Sequence, residues 1–527
     1  MSEQESAGRP KGIFALLRAK YIEQMQNLPA SDDRWVEPLC AWADEHGIED
    51  LYWSEDEDFD DGGYWVGMPR DHQALLELEE LGIWDNQLTQ LPPEIGFLKN
   101  LQKIDANFNK IEEIPPEIAG LQCLRELSLE KNSISTLPRE FCYLSQLEKL
   151  ILDYNHIKIF PENISQLTNL KILRMVCNKI TQIPVQLCQL TQLEVLDFSA
   201  NSITYLPSQI SQLIHLKTLI MSQNLLKALP DDIGALSQLT RLYLTATHIT
   251  QLPPTFTRLS SMKLLDISCN MLTDVFPEIF ELRGLTRLSL NHNRIHHLPA
   301  QIVQLTALQD LDIASNRFEI IPEVVFELRE LRRLNLSSHP KIGYLPQQIA
   351  QLNKLEKLFI SDMGLHSLPD DIMQLRVLEI LSIGSNQFTC IPRQILGLQS
   401  LRELSVWNNH VRDLPIEIGH LAQLQDLNLG HNPLEQFPTA VLQLKQLKTL
   451  WLDSTGIQQI PAEIGQLTHL TTLDLSDNPI TTLPPEMAEL AELELCIIKD
   501  TLLSAAQVEQ LKVWLPNCRI SGRPAAS

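Results

Sequence analysis

Apolar residues recur through most of the chain in short alternating segments that repeat every 23 residues. One segment reads Leu124-Arg-Glu-Leu127-Ser-Leu129, and its alternation predicts a short strand with one buried face. We count 19 such segments between Leu78 and Thr501. A fixed period of this length predicts stacked units, each of which buries its apolar face against its neighbours.

An asparagine and a proline recur with the same period as these apolar segments. An asparagine follows most segments, as Asn132 does, and a proline such as Pro138 comes six residues later. We expect the asparagine amide to bond backbone groups that the turn removes from the strand ladder. Proline has no N–H to donate, so it fits the irregular return segment before a PxEIxxL helical turn.

The repeat unit therefore predicts an α/β fold, a leucine-rich repeat solenoid with the shape of a curved horseshoe. We expect a parallel concave β-sheet of about 19 strands and short helical or 3-10 segments on the convex side. The predicted array occupies residues 78–501, between an N-terminal extension at 1–77 and a C-terminal segment at 502–527. In that last segment, Ser504 and Gln507 predict a capping box on a helix that covers the last repeat.

The N-terminal extension has a mixed character. Amphipathic patterns predict helices from Ile13 to Met25 and from Trp35 to His46, and residues 49–61 carry eight carboxylates. Four of the eight tryptophans of the chain also fall in this extension. Two interpretations are open: the extension caps the first repeat, which we favour, or it docks a partner protein.

Composition and charge exclude several classes of function. The chain has 527 residues, an apolar fraction of 44% and a formal net charge of −24, so it is neither disordered throughout nor suited to nucleic acid or anionic membranes. Residues 1–77 hold 18 acidic and 6 basic side chains, which is half of that net charge. Nine cysteines without CxxC spacing, and no signal-peptide or membrane-length apolar run, predict a cytoplasmic protein.

Candidate catalytic and metal-binding motifs are weak. The acidic run at 56–62 differs from a calcium loop, because its glycine is one position late and Gly67 stands where a glutamate ligand is required. His292, His296 and His297 do not share one helical face. The sequence contains neither GxxxxGK[ST], HExxH nor GxSxG, so we expect no enzyme activity, cofactor or metal.

The outward positions of the predicted strands carry large apolar side chains that a solvated sheet would not need. We name the first group of them the aliphatic patch: Ile151, Arg174, Val176, Ile220 and Tyr243. We name the second the tryptophan patch: Phe359, Trp407, Asn408, Asp426, Asn428, Trp451 and Asp453. Tryptophan, tyrosine and arginine dominate binding hot spots, so the tryptophan patch is the better candidate for partner binding. The alternative is that neighbouring rings only shield one another.

One stretch of the array is irregular. His339 and Met363 replace consecutive turn asparagines, and the stretch between residues 337 and 364 also carries a one-residue insertion. Two interpretations are open here as well: a local packing adjustment, which we favour, or a bend or loop with a function.

The LPxEIxxLxxLxxLxLxxN unit resembles the intracellular class of leucine-rich repeat proteins, which includes Ras-group scaffold proteins and many bacterial proteins. The ending Leu511–Ile520 and the segment Met68–Asp71 are similar to the ends of bacterial arrays. This resemblance implies a bacterial scaffold that binds another protein on its concave side. Two alternatives remain: an effector, secreted without a cleavable signal peptide, that captures a host protein, and, less favoured, a cryptic enzyme.

Overall fold

The computed structural model of the protein describes residues 33–54 and 64–522. They fall into two compact units, which divide between Met262 and Lys263. The helix expected between Ile13 and Met25 lies outside the described residues, and so does the acidic run at 56–61.

The described part of the N-terminal extension packs on the first repeat. Its elements are α1 (Val36–Glu45), β1 (Tyr52–Ser54), β2 (Tyr64–Val66) and α2 (His72–Glu77), with β1 and β2 antiparallel. Helix α1 confirms the helix predicted from Trp35 to His46. The Trp35 ring stacks on Phe97 of the first repeat with ring centroids 5.4 Å apart, and Gly67 N donates to Gly82 O at 2.8 Å.

In the first unit, eight repeat strands form one parallel ladder. They are β3 (Glu80–Gly82), β4 (Lys103–Asp105), β5 (Glu126–Ser128), β6 (Lys149–Ile151), β7 (Ile172–Arg174), β8 (Val195–Asp197), β9 (Thr218–Ile220) and β10 (Arg241–Tyr243). Each residue pairs with the residue one repeat later, as Leu127 does with Leu150. The register is thus set by the repeat length.

In the second unit, eleven repeat strands continue the same pattern, and one further strand follows them. They are β11 (Leu264–Asp266), β12 (Arg287–Ser289), β13 (Asp310–Asp312), β14 (Arg333–Asn335), β15 (Lys357–Phe359), β16 (Ile380–Ser382), β17 (Glu403–Ser405), β18 (Asp426–Asn428), β19 (Thr449–Trp451), β20 (Thr472–Asp474), β21 (Leu495–Ile497) and β22 (Arg519–Ser521). The parallel sheet and the 19 predicted repeat strands are confirmed.

Each return segment contains a short 3-10 helix, which confirms the predicted helical turn. In the first unit these helices are Pro93–Phe97, Pro116–Gly120, Arg139–Tyr143, Ile164–Gln166, Leu187–Gln189, Ser208–Gln212, Asp231–Ala235 and Pro254–Arg258. In the second unit they are Pro277–Glu281, Ala300–Gln304, Glu323–Glu327, Gln347–Gln351, Asp370–Gln374, Arg393–Gly397, Ile416–His420, Thr439–Gln443, Ala462–Gln466 and Pro485–Glu489. Most begin directly after the repeat proline, which lies in an extended conformation, as Pro138 does.

The repeat asparagines form a buried hydrogen-bond ladder between strands and return segments. Asn155 accepts from Ile134 N at 2.9 Å and donates to Leu129 O at 2.9 Å and Leu152 O at 3.2 Å. One side chain therefore ties its own turn to the preceding repeat, as the sequence pattern predicts. The leucines that precede it complete the core; Leu150 and Leu152 are both buried.

The residue before each turn asparagine adopts left-handed backbone geometry, which the sequence does not signal. Lys131 has φ of 52° and Tyr154 has φ of 54°, and the same position is left-handed in every repeat. None of these residues is glycine, the residue that adopts this conformation without strain. The solenoid packing therefore holds bulky side chains in a conformation that they rarely adopt alone.

His339 takes over the ladder role in the irregular repeat. Its Nδ1 donates to Leu336 O at 2.7 Å, and its Nε2 accepts from Asn316 N at 3.1 Å. The insertion is absorbed locally, because Arg333 of β14 still pairs with Lys357 of β15. These observations favour the interpretation of a packing adjustment.

This geometry predicts an acid-sensitive repeat. Burial holds the pKa of His339 below its usual 6.5, because the charged imidazolium would lose its solvation; the hydrogen bond to Leu336 O and the charge of Asp362 act in the opposite direction. Protonation would also break the Nε2 hydrogen bond to Asn316 N. The unfolded chain binds a proton as pH falls through about 6.5, whereas the folded chain does so only at lower pH, so stability is lost below that point. We expect the unfolding free energy of the wild type to fall more between about pH 7.5 and pH 5.5 than that of His339→Asn. An equal fall in both proteins would contradict this role.

The C-terminal segment covers the last repeat with a helix and a strand. Helix α3 (Ala505–Trp514) begins at Ser504, whose hydroxyl accepts from Gln507 N at 3.3 Å. The Gln507 side chain does not complete the predicted capping box; its Oε1 accepts from Leu483 N at 3.2 Å. The strand that follows, β22, pairs with β21 and was not predicted.

Candidate functional site

Four positions of each repeat lie on the outer side of its strand, and most of them are at least partly exposed. In β5 the central Leu127 is buried, while Glu126 and Ser128 are partly exposed, and so are Glu130 and Lys131 after the strand. We call these the sheet-face positions: the first and third residues of a strand and the second and third residues after it. All residues of both predicted patches occupy them.

The aliphatic patch forms two side-by-side pairs in the first unit. Ile151 lies opposite Arg174 on β6 and β7, and Ile220 lies opposite Tyr243 on β9 and β10. Asp197 of β8 stands between the pairs, opposite both Arg174 and Ile220. Val176, two residues after Arg174, is partly buried beside the first pair.

Arg174 is anchored by a buried carboxylate that sequence reasoning missed. Asp153 is 0% exposed; its Oδ2 accepts from the Arg174 guanidinium at 2.7 and 3.0 Å, and its Oδ1 accepts from Val176 N at 2.8 Å. Burial raises the pKa of Asp153, while the Val176 N–H and Arg174 act in the opposite direction. The Arg174 guanidinium therefore already has a counter-charge within the chain, and this ion pair fixes its position in the aliphatic patch.

Removal of this guanidinium is expected to destabilise the first unit. Arg174→Ala leaves the Asp153 carboxylate buried without its counter-charge, at a cost of about 1–3 kcal/mol in unfolding free energy. Addition of Asp153→Asn is expected to recover most of this loss, because a neutral amide carries no buried charge and still accepts from Val176 N. Denaturant unfolding measures both variants, and a double variant no more stable than Arg174→Ala would contradict the assignment.

The tryptophan patch centres on Trp407, which is 38% exposed. Its ring meets that of His431 in a T-shaped contact with centroids 5.3 Å apart, and His431 Nε2 lies 3.2 Å from Asp453 Oδ2. Burial raises the pKa of Asp453; Asp474 acts in the same direction and His431 opposes them. Trp407, His431 and Asp453 therefore form a continuous row across three repeats.

Trp451 and Asp426 form the second half of the tryptophan patch. Trp451 lies opposite Asn428, and its side chain hydrogen-bonds the Asp426 carboxylate on the neighbouring strand. Burial raises the pKa of Asp426, Glu403 raises it further, and hydrogen bonds from Thr449 and Trp451 act in the opposite direction. The carboxylate is therefore held in place beside the partly exposed indole.

The two asparagines of the tryptophan patch have structural partners. Asn428 Oδ1 accepts from Gly430 N at 3.0 Å, which closes the turn after its strand. Asn408 occupies the left-handed position with φ of 54° and donates to Ser385 Oγ at 3.1 Å. The indoles and carboxylates are thus the groups that remain available to a ligand.

Phe359 lies apart from the rest of the tryptophan patch. It belongs to β15, two strands before the repeat of Trp407. The Arg333 guanidinium lies 5.0 Å from its ring centroid and also pairs with Asp310 Oδ1 at 2.9 Å. Neighbouring side chains therefore shield this ring, as the alternative interpretation expected for the whole group.

A third aromatic row, missed at the sequence level, lies in the first unit. Lys131 Nζ lies 4.1 Å from the Phe108 ring centroid and 5.7 Å from that of Tyr154. These three residues occupy the left-handed position of consecutive repeats. Their shared offset of 23 residues is the only sequence signal for the row.

Two open grooves lie outside both patches. An open groove of about 710 Å³ is lined by Glu79, Gln102 and Arg125, and a smaller one of about 340 Å³ by Asp274, Phe280 and Gln304; neither includes a patch residue. Residues 33–54 and 64–522 contain no group of three His, Cys, Asp or Glu side chains placed to hold a metal ion. Within the same ranges, no helix has the length and apolarity needed to cross a membrane.

The repeats have the geometry of a leucine-rich repeat fold, and family models for such repeats match parts of the chain. Models described as "Leucine-rich repeat region", "Leucine rich repeat" and "Leucine Rich repeats (2 copies)" match residues 107–206 and 155–241, 283–342, and 445–489, respectively. No curated protein sequence matches the chain significantly.

Several solved structures share the fold. The leucine-rich repeat protein LIC12759 of Leptospira interrogans is 28% identical, with 85% of this chain and 97% of that chain covered and a TM-score of 0.48. The functional domain of InlJ from Listeria monocytogenes is 22% identical over 69% and 74% of the two chains, with a TM-score of 0.53. The Arabidopsis receptor kinase HAESA ectodomain, in complex with an IDA peptide hormone ligand, is 25% identical over 85% and 82%, with a TM-score of 0.51.

Proposed function

We propose that the protein is a non-enzymatic scaffold that binds a partner protein on the sheet face of its second unit, at Trp407 and Trp451. The observation that carries the proposal is the pair of indoles left open on the sheet face beside carboxylates that are held in place. Exposed indoles are costly in water and are typical anchors of protein interfaces.

The structural comparison supports binding of a polypeptide. The HAESA ectodomain, which shares the repeat fold, is solved with a peptide hormone bound. A long parallel sheet presents side chains at a fixed spacing, so a partner can make contact over several repeats without rearrangement of the chain.

We also propose that the scaffold acts in the cytoplasm. All nine cysteines are free thiols, and burial raises the pKa of Cys142 to about 12 and that of Cys188 to about 11. Thiols of this kind behave as small apolar core groups and suit a reducing compartment.

Site-specific photo-crosslinking tests the proposed surface. A photoreactive residue at Ser405, between the Phe359 and Trp451 strands, faces the proposed partner, whereas one at exposed Gln301 lies in a 3-10 helix. In a lysate of the source cells we expect a discrete protein adduct from position 405 and none of that size from position 301. The same adduct from position 301 alone would reject the sheet face as the binding surface.

A further inference from the structure

The sheet face around the tryptophan patch carries an excess of negative charge over four consecutive repeats. The sheet-face positions of β17 to β20 contain no lysine or arginine. They contain five carboxylates, those of Glu403, Asp426, Asp453, Asp474 and Asp477. Arg402 and Lys448 precede their strands, one position outside this set. The surface therefore presents negative charge next to two indoles.

Several carboxylates elsewhere on the sheet face pair with basic neighbours. Asp310 pairs with Arg287 at 3.0 Å and with Arg333 at 2.9 Å, and Glu126 pairs with Lys149 at 3.6 Å. Among the ion pairs of the described residues, the five carboxylates of β17 to β20 have one partner, His431 on Asp453. Among the described residues, these five carboxylates are thus left without a lysine or arginine partner.

The indoles add a second attraction for positive charge. The face of a tryptophan ring carries negative potential, so it attracts a cation placed over it, and more strongly when water is excluded. At the same position of the preceding repeat, Gly384 has no side chain that could cover the Trp407 ring, which is 38% exposed. A flat cationic group can therefore approach the ring from the β16 side.

We infer that the tryptophan patch receives an arginine or lysine side chain from an extended, basic segment of the partner protein. The side chain stacks on the indole of Trp407 or Trp451 and donates to the carboxylates of Asp426 and Asp453. This inference rests on the proposed function, because it names the chemistry of the partner at the same surface. Arginine fits best, since its planar guanidinium stacks on a ring and donates to a carboxylate at the same time.

Both carboxylates are prepared for such a contact. Trp451 fixes Asp426, and His431 lies against Asp453, so little side-chain entropy is lost when a cation binds. Burial raises the pKa of both groups, which indicates carboxylates that have lost solvation without gaining a full counter-charge. A cation from the partner would supply that charge.

Titration with defined peptides tests the inference on the full chain. The probe is a capped peptide of alternating glycine and arginine, and its matched control replaces every arginine with citrulline, which has nearly the same shape and no charge. We expect the arginine peptide to bind with a Kd at least about tenfold lower than that of the citrulline peptide at low salt. The difference should narrow as salt is added, because ions screen the attraction.

Two double variants that remove the same number of charges distinguish binding at the tryptophan patch from a general effect of the chain's negative charge. Asp426→Asn with Asp453→Asn is expected to weaken binding of the arginine peptide by about tenfold. Asp231→Asn with Asp232→Asn removes the same charge from an exposed 3-10 helix of the first unit and should change the Kd by less than about twofold. Equal effects of the two variants, or equal binding of the two peptides, would overturn the inference.

The outcome also distinguishes this inference from the proposed function. If the Ser405 crosslink to the natural partner persists in Asp426→Asn with Asp453→Asn at unchanged affinity, the binding surface stands and cation recognition is wrong. If the position 405 adduct never forms, the proposed function fails, whatever the peptides do.

Discussion

Replacement of both Trp407 and Trp451 with alanine is expected to weaken partner binding by at least about 30-fold. Buried aromatic anchors at the centre of an interface cost 2 kcal/mol or more when truncated, roughly 30-fold in Kd for each. Both rings are at least partly exposed in the free chain, so their loss removes contacts to the partner more than contacts within the fold. Quantitative capture of the partner that crosslinks from Ser405 measures the effect.

The matched control removes two exposed aromatic rings elsewhere. Tyr205 and Tyr344 are 51% and 52% exposed, and neither occupies a sheet-face position. Tyr205→Ala with Tyr344→Ala is expected to bind the partner as the wild type does. Thermal unfolding should show little change in Tm for either double variant. Undiminished binding by the double tryptophan variant would show that the tryptophan patch is not the binding site.

Asn432→Ala is expected to lower the unfolding free energy by about 3 kcal/mol or more, the largest stability effect that we predict for a single polar side chain. Asn432 is 1% exposed and accepts from Val411 N at 3.0 Å. Its amide also donates to Val406 O and Leu429 O, each at 3.0 Å. Alanine leaves these buried backbone groups without this partner, and each such group costs about 1–3 kcal/mol.

Two comparison variants show whether the ladder causes the loss. Asn353→Ala removes an exposed amide from a return segment and should change stability by less than about 0.5 kcal/mol. Asn432→Thr should lie between the two, because Thr455 at the equivalent position still donates to Leu452 O at 2.7 Å. Urea unfolding of the three variants gives the order, and equal losses for Asn432→Ala and Asn353→Ala would contradict the ladder role.

The repeat architecture could be predicted from the sequence because the same 23-residue pattern occurs many times along the chain. Alternating leucines fix the strand at Leu127, and the asparagine five residues later fixes the turn. The same argument could not find β22, since Arg519–Ser521 carries no leucine alternation and gains its strand geometry only from pairing with β21. Nor did it find the left-handed position, because tertiary packing rather than glycine enforces it there.

The candidate site was predicted only in part, because its chemistry depends on contacts between repeats. The alternation of inward and outward positions along each strand predicts which tryptophans are exposed. The partners of those rings, however, lie one repeat away. His431 beside Trp407 and Asp153 beneath Arg174 become visible only when residues are compared at offsets close to the repeat length. Phe359 was grouped with the tryptophans by residue type, although Arg333 covers it.

Hydroxyl-radical footprinting with and without the partner tests the central claim most directly. Trp407 and Trp451 are partly exposed on the sheet face, and Trp514 in helix α3 provides an internal reference on the same chain. We predict that the partner lowers the oxidation rates of Trp407 and Trp451 severalfold and leaves that of Trp514 unchanged. Protection of Trp514 with unchanged oxidation of Trp407 and Trp451 would contradict the account.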